Sequence, residues 1–243
     1  MKRLLSLLTL GCFLTTSALA ACSSEIKLML HQDGADASTT FTDSAASPNT
    51  VTAVGNAQID TDQSVFGGAS GIYDGTGDYL TIPDAAWMDV GTGDFTVDFR
   101  VRFASLVSVN QWFVSRNSSN TFDFRYNTAV GLVVVLQSSS YLQAWSPVIN
   151  TWYHVAFVRS GGNLFFFVDG VQQGASQAAG DNVSDTVQMI IAADSSGPGN
   201  ALNGWLDELE ITNTAKWTSN FTPPTSAYCG TAADQSGMFM VFE

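Results

Sequence analysis

The chain has 243 residues, 45% hydrophobic and only 13% charged, which excludes an intrinsically disordered protein and allows one sizeable buried core. Nine Lys and Arg stand against 22 Asp and Glu, a formal net charge of −13. Binding through phosphate neutralisation needs the opposite balance, so nucleic acid is excluded as a partner.

Lys2 and Arg3 precede an apolar run from Leu4 to Leu14, and the segment closes on Ala18-Leu19-Ala20-Ala21. A basic start, a short apolar centre and a small-residue exit predict a signal peptide over 1–21, too short to span a bilayer. Its removal leaves 7 basic and 22 acidic residues, a net charge of −15. The expected location is extracytoplasmic, secreted or at the cell surface. Cys12 departs with the signal, so Cys22 and Cys229 remain near the two ends. Three fates stay open for them. An oxidising compartment permits a Cys22–Cys229 disulfide. Leu19-Ala20-Ala21-Cys22 resembles a bacterial lipobox, which would lipidate Cys22 and strand Cys229; both could also stay free thiols. Membrane contact is expected only through a lipidated Cys22.

Short strand patterns then follow in chain order. Ile26 to Leu30, Ser70 to Tyr73 and Tyr79 to Ile82 come first. Asp94 to Phe103 alternates without a slip, with Phe95, Val97, Phe99, Val101 and Phe103 on one face. Thr96, Asp98, Arg100 and Arg102 take the other face, which is period two, a strand with one buried side. Gln111 to Arg116, Phe122 to Tyr126 and Gly131 to Leu136 continue the series, then Trp152 to Arg159 and Leu164 to Val168. Asp169-Gly170 predicts a tight hairpin turn before Val171 and Gln172. Val187 to Ala192 and Trp205 to Thr212 close it. No helical periodicity persists for three turns, and 21 Gly punctuate the strands. The fold class is all-β, a two-sheet antiparallel jelly-roll sandwich.

Several stretches together resemble the laminin-G-like jelly roll of the concanavalin A-like lectin/glucanase superfamily, in its bacterial and phage form. They are Phe66-Gly67-Gly68-Ala69-Ser70, Tyr73-Asp74-Gly75 with Asp78-Tyr79-Leu80, and Gly93-Asp94-Phe95-Thr96-Val97-Asp98-Phe99. Trp152-Tyr153-His154-Val155-Ala156, Phe167-Val168-Asp169-Gly170 and Gly204-Trp205-Leu206-Asp207-Glu208-Leu209 follow in order, and the tail Ala215 to Thr225 fits as well. The resemblance implies one domain over 22–229, a C-terminal tail over 230–243, and adjacent termini that suit a Cys22–Cys229 bridge.

Acidic residues are lopsided, 18 Asp against 4 Glu. Asp serves turns, and it also serves Ca2+, which takes hard oxygen ligands. Asp207 shares parity with Trp205, Leu209 and Ile211, which aims it at the apolar side or its rim. A buried carboxylate must be hydrogen-bonded, paired or metal-bound. Asp33 ends the first strand and neighbours Asp207 if first and last strands pair. With Asp43 they form the candidate site for a structural Ca2+, as in some relatives; no other cofactor is expected.

Glu208 and Glu210 project from one strand face, about 7 Å apart along the backbone. Retaining glycosidases hold their carboxyls about 5–5.5 Å apart. Glycosidases of the superfamily, however, carry Glu-x-Asp-x-Glu, and here Trp205 stands where the first Glu belongs. No catalytic residue is therefore assigned. His154, in the Trp-x-His stretch, is expected as a packed core histidine. Asn117-Ser118-Ser119 fits a glycosylation acceptor, relevant only in a eukaryotic secretory pathway. Trp87, Trp112, Tyr126, Tyr141 and Trp145 lie near turns or off the core alternation and are the candidate sugar-stacking rings. The resulting expectation is a non-catalytic exported recognition module, binding a glycan or a cell-surface protein. Its alternatives are a structural or adhesion component of a cell surface or virion, and a glycoside hydrolase using Glu208 and Glu210.

Overall fold

The computed structural model describes residues 22–116, 122–194 and 200–229. The leader 1–21 with its lipobox residues, the acceptor at Asn117 and the tail 230–243 lie outside the described residues. β1 (Ile26–Leu30), β2 (Thr52–Val54), β3 (Gln58–Asp60), β4 (Ser70–Asp74) and β5 (Tyr79–Ile82) precede one 3₁₀ turn at Ala86–Met88. β6 (Phe95–Phe103), β7 (Asn110–Arg116), β8 (Phe122–Asn127), β9 (Gly131–Leu136) and β10 (Ser139–Gln143) follow. β11 (Trp152–Ser160), β12 (Asn163–Val168), β13 (Val171–Gln172), β14 (Gln177–Ala178), β15 (Met189–Ile191) and β16 (Asn203–Thr212) complete the series. Among the described residues no helix is long and apolar enough to cross a membrane.

The strands form two antiparallel sheets. The first runs β13-β12-β11-β6-β16-β4-β3, with β1 added beside β16 and β14 beside β12; the second runs β10-β9-β8-β7-β15-β5-β2. Neighbours distant in sequence, such as β6 beside β16 and β7 beside β15, make this a jelly roll rather than a meander. The alternation of β6 decides how the layers meet. Phe95, Val97, Phe99, Val101 and Phe103 are all fully buried and point at the second sheet. Phe99 meets Phe113 at 4.7 Å between ring centres, and Phe95 meets Phe124 at 6.0 Å. Asp169 and Gly170 both take positive φ, 48° and 74°, the left-handed pair that a two-residue hairpin turn requires.

The outer face of the first sheet is covered in turn. Residues 213–229 cross it as a strap, on which Ala215, Trp217 and Phe221 pack against Ala156, Val158 and Phe167. His154 is fully buried, but beneath this strap rather than between the sheets, with Trp217 and Phe221 edge-on to its ring. It is packed as the sequence predicts, on this outer face because Val155 and Phe157 take the inward parity. The Cys22–Cys229 disulfide ties the strap to the first strand, joining residues 207 apart in sequence with Cα atoms 5.0 Å apart.

β16 carries the other correction. Asp207 lies opposite Arg100 and Glu210 opposite Asp98, so one extra residue sits on β16 between those pairs. Glu208 absorbs it with φ at 52°, a β-bulge. Parity therefore inverts across Glu208: Leu206, Leu209 and Ile211 face the core, whereas Asp207 leaves the parity expected from Leu209 and faces outward.

Candidate functional site

Asp43 lies in the segment between β1 and β2, which folds back so that Asp43 bridges to Leu30. Its Oδ1 accepts the backbone N–H groups of Met29 and Ala45, each at 2.9 Å. Its Oδ2 accepts the backbone and side-chain N–H groups of Asn49 at 2.7 and 2.6 Å. Four donors saturate both oxygens, and the carboxylate thereby becomes the organiser of a turn. Asn49, so fixed, also donates to Lys27 O at 2.9 Å and accepts the indole N–H of Trp87 at 3.0 Å.

Trp87 is held from below as well. It rides the 3₁₀ turn Ala86–Met88, whose Met88 is anchored in the core. Arg116 reaches that turn from β7, fully buried, donating to Met88 O and Asp84 Oδ1, each at 2.8 Å. A guanidinium spread over several acceptors holds a turn rigidly, because its donors are planar and fixed. The half-buried Trp87 lines a cavity of about 320 Å³ with Ser24, Ile26, Lys27, Ala46 and Ser47. Lys27 Nζ is set at its edge by a bond to Ser24 O at 2.6 Å. The cavity thus combines an oriented aromatic surface, an ammonium and two hydroxyls.

The other candidate rings are placed differently. Tyr126 is buried in the core against Phe103 and Trp145, and Tyr141 is buried with its hydroxyl donating to Asp181. Trp112 is buried under the Arg125 guanidinium, 5.0 Å from its ring centre. None of these three offers a free face for stacking, a correction that follows from neighbours the chain order does not reveal. Trp145 is half-buried, packed edge-on to Tyr153, and stands apart from the Trp87 cavity. The five rings form no common platform.

The acidic candidates on β16 are consumed internally. Glu208 is fully buried, with Oε1 2.9 Å from His31 Nδ1 and Oε2 accepting Tyr228 N–H at 2.7 Å. Glu210 Oε1 accepts Lys216 Nζ at 2.9 Å, and the same ammonium donates to Asp98 at 3.0 Å. Both carboxylates lie under the strap, which supplies Tyr228 to one and Lys216 to the other. Burial and the nearby Asp98 push Glu210 up to about 7, Lys216 opposing. Asp98 goes the other way: burial resists its ionisation, but Lys216 and His154 hold it below the usual carboxylate range.

Asp207 Oδ2 accepts the backbone N–H groups of Val65 and Phe66 at 2.6 and 3.1 Å. Burial dominates it and pushes it up to about 7, with Glu208 and Asp33 adding to the shift. Asp33 is its neighbour, because β1 pairs with β16 as expected. Asp43 is directed elsewhere, to the Asn49 turn. Among the described residues no three His, Cys, Asp or Glu side chains gather to hold a metal ion. Asp43, with both oxygens taken by the Asn49 turn, stands apart from Asp33 and Asp207.

Sequence reasoning missed Lys27, Asn49 and Arg116. Asn49 carried one usable signal, since Asp43 through Pro48-Asn49 reads as a turn.

The sequence profile described as the concanavalin A-like lectin/glucanases superfamily, in its laminin-G form, matches residues 74–218, more than half of the chain. No curated protein matches. Many solved structures are similar, among them the following three. The binding domain of Paraclostridial Mosquitocidal Protein 1 is 13% identical with a TM-score of 0.61, over 79% of this chain and 49% of that one. The binding domain of botulinum neurotoxin DC, in complex with rat synaptotagmin II, is 14% identical with a TM-score of 0.58, over 79% and 48%. Domain 4 of AbnA, an extracellular arabinanase from Geobacillus stearothermophilus in complex with arabinotriose, is 18% identical with a TM-score of 0.57, over 85% and 98%. At such identities the likeness shows the fold alone. The chain spans about half the length of the toxin binding domains.

Proposed function

The chain belongs to the laminin-G-like group of the concanavalin A-like lectin/glucanases superfamily, and from that premise we propose that it is an exported, non-catalytic glycan-binding module. The observation that carries the reading is the Trp87 cavity, where Asn49 and Arg116 hold an indole in place beside Lys27. A fixed ring can stack on the apolar face of a pyranose or furanose while hydroxyls and the ammonium meet its polar edge. Lys27 favours an acidic sugar, a uronate or sialate. Arabinotriose on the arabinanase domain supports a sugar partner for this fold, and the synaptotagmin complex supports a surface protein as the competing partner. The Cys22–Cys229 disulfide supports an extracytoplasmic site of action. Against hydrolysis stands the burial of Glu208 and Glu210, each with a protein partner.

A glycan array probed with and without EDTA tests the reading. The wild type should retain a subset of acidic glycans, and Trp87→Ala should remove that signal while the thermal melt stays in place. A blank array, or an array pattern unchanged in Trp87→Ala, overturns it in favour of a protein partner or a structural role.

A further inference from the structure

Three loops meet at one end of the sandwich: 104–109 between β6 and β7, 128–130 between β8 and β9, and 144–151 between β10 and β11. They are tied to one another. Val109 O accepts Thr128 N–H at 3.0 Å, and Phe103 O accepts Asn150 N–H at 2.8 Å. The backbone of 143–145 packs so closely on Gly131 that a Cβ there would lie 2.4 Å from Gln143 O. From this end five aliphatic side chains project. Val107 is 87% exposed, Val109 62%, Val148 61%, Ile149 45% and Val130 40%. None of the seventeen residues in the three loops is charged, in a chain that carries 31 charged side chains.

Behind the tips the chemistry changes in tiers. Trp145 and Tyr153 sit half-buried against each other, and Tyr153 Oη accepts the Val148 N–H at 2.9 Å. Arg102 lies on the outer face of the first sheet over Trp205, and Arg125 on the outer face of the second, over Trp112 and 3.4 Å from Asp123, each within about 7 Å of its strand end. Asp74, on β4, and Asp169, in the turn after β12, lie at the margins, two strands removed from β6. Aliphatic tips, then amphipathic rings, then guanidinium groups is the order of polarity met from the acyl boundary outward to the phosphates of a bilayer.

We propose that this three-loop end docks on a zwitterionic lipid surface, with the aliphatic tips entering the headgroup–acyl boundary and Arg102 and Arg125 meeting lipid phosphates. It gives the chain a membrane contact that does not pass through Cys22, and it is independent of the Trp87 cavity. A second copy fits the patch less well. Five side chains offer on the order of a few hundred Å² of apolar surface, whereas a stable dimer needs about 800 Å² per partner. The excess of acidic over basic residues, 22 against 9, disfavours an anionic membrane.

Flotation of the purified disulfide-bonded protein with phosphatidylcholine vesicles tests the proposal. The wild type should partition onto the vesicles, equally well at 0.1 and 0.5 M NaCl, without gain from added anionic lipid. Val107→Asp combined with Val148→Asp should lower partitioning at least tenfold with an unchanged melt, because both side chains face solvent. Val107→Leu combined with Val148→Leu should raise it several-fold, a gain that misfolding cannot mimic. A wild type that stays with the aqueous phase overturns the proposal, as does an aspartate variant that floats like wild type. A dimer seen by light scattering and dissolved by Val107→Asp overturns it as well, and assigns the end to self-association.

Discussion

The indole N–H of Trp87 donates to Asn49 Oδ1 at 3.0 Å, and Asn49 itself is gripped by Asp43 at 2.6 Å. The orientation of the ring in the cavity therefore depends on a carboxylate that never touches it. Asn49→Ala is expected to weaken glycan binding about tenfold, equivalent to about 1.4 kcal/mol. Asp43→Ala strips four N–H groups of their acceptor and should cost at least about 3 kcal/mol of stability. Chemical denaturation with array or calorimetric titration separates the two effects. Asn49→Ala that melts early but binds normally would show that the amide serves the fold alone.

The Cys22–Cys229 bridge closes almost the whole described chain and holds the strap on the first sheet. Cys229→Ser should lower stability by about 2–5 kcal/mol and expose Trp217 to quenchers. Non-reducing peptide mass spectrometry should recover the cross-linked pair. A diacylglyceryl group on Cys22 would disprove the bridge, since its sulfur cannot do both.

Stability should rise as the pH falls from 8 to about 5.5. Asp207 and Glu210 fold with values near 7, above their unfolded values, so the folded chain holds protons in that window that the unfolded chain has lost. His31 acts with the same sign: burial opposes its protonation, but the Glu208 hydrogen bond raises it above 6.5, a contribution lost as pH climbs through the folded value. Below about pH 4 the sign reverses, because Asp98 is held low by Lys216. Asp207→Asn keeps an acceptor for Val65 and Phe66 and should raise the melting temperature at pH 8 by roughly 2–4 °C or more. It should also flatten the pH profile. An unchanged profile would place the titrating group elsewhere.

From sequence alone Glu208→Gln and Glu210→Gln are expected to be nearly silent. The structure changes that expectation for stability. Glu208 is fully buried between His31 and the Tyr228 N–H, so its substitution should cost about 1–3 kcal/mol. Neither variant should alter glycan binding, and wild type should release no reducing ends from β-glucans, galactans or arabinans. Turnover that either substitution abolishes would establish a hydrolase.

Calcium is expected to have little effect on the melt. Asp43 is saturated by four N–H donors, and burial, helped by Glu208 and Asp33, tends to keep Asp207 neutral against the two backbone donors that favour its ionised form. Scans in EDTA and in millimolar calcium should superimpose. A rise of several degrees with calcium, abolished by Asp207→Asn, would place an ion at Asp33 and Asp207.

What the sequence determined by itself was the set of long strands and the layer they build. Phe95 to Phe103 alternates over nine residues, and burial of one face is a local consequence of period two. Asp169-Gly170 was equally legible, because only a few residue types tolerate two consecutive left-handed positions. The cysteine pair was countable, though its partner-or-lipid choice was not. β2, β3 and β14 escaped notice because two or three residues hold too little alternation to be told from a loop, and β10 because Ser139-Ser140-Tyr141-Leu142-Gln143 sets its two apolar residues side by side. Tertiary structure alone decided the outward turn of Asp207, since the bulge at Glu208 arises from pairing with Arg100 and Asp98, more than a hundred residues away. It also decided which aromatic rings meet solvent. Trp112 and Trp87 look alike in the chain, but Arg125 covers one and Asn49 holds the other at the edge of a cavity. Periodicity is carried by adjacent residues; what lies across a face is carried by strands that fold back onto it.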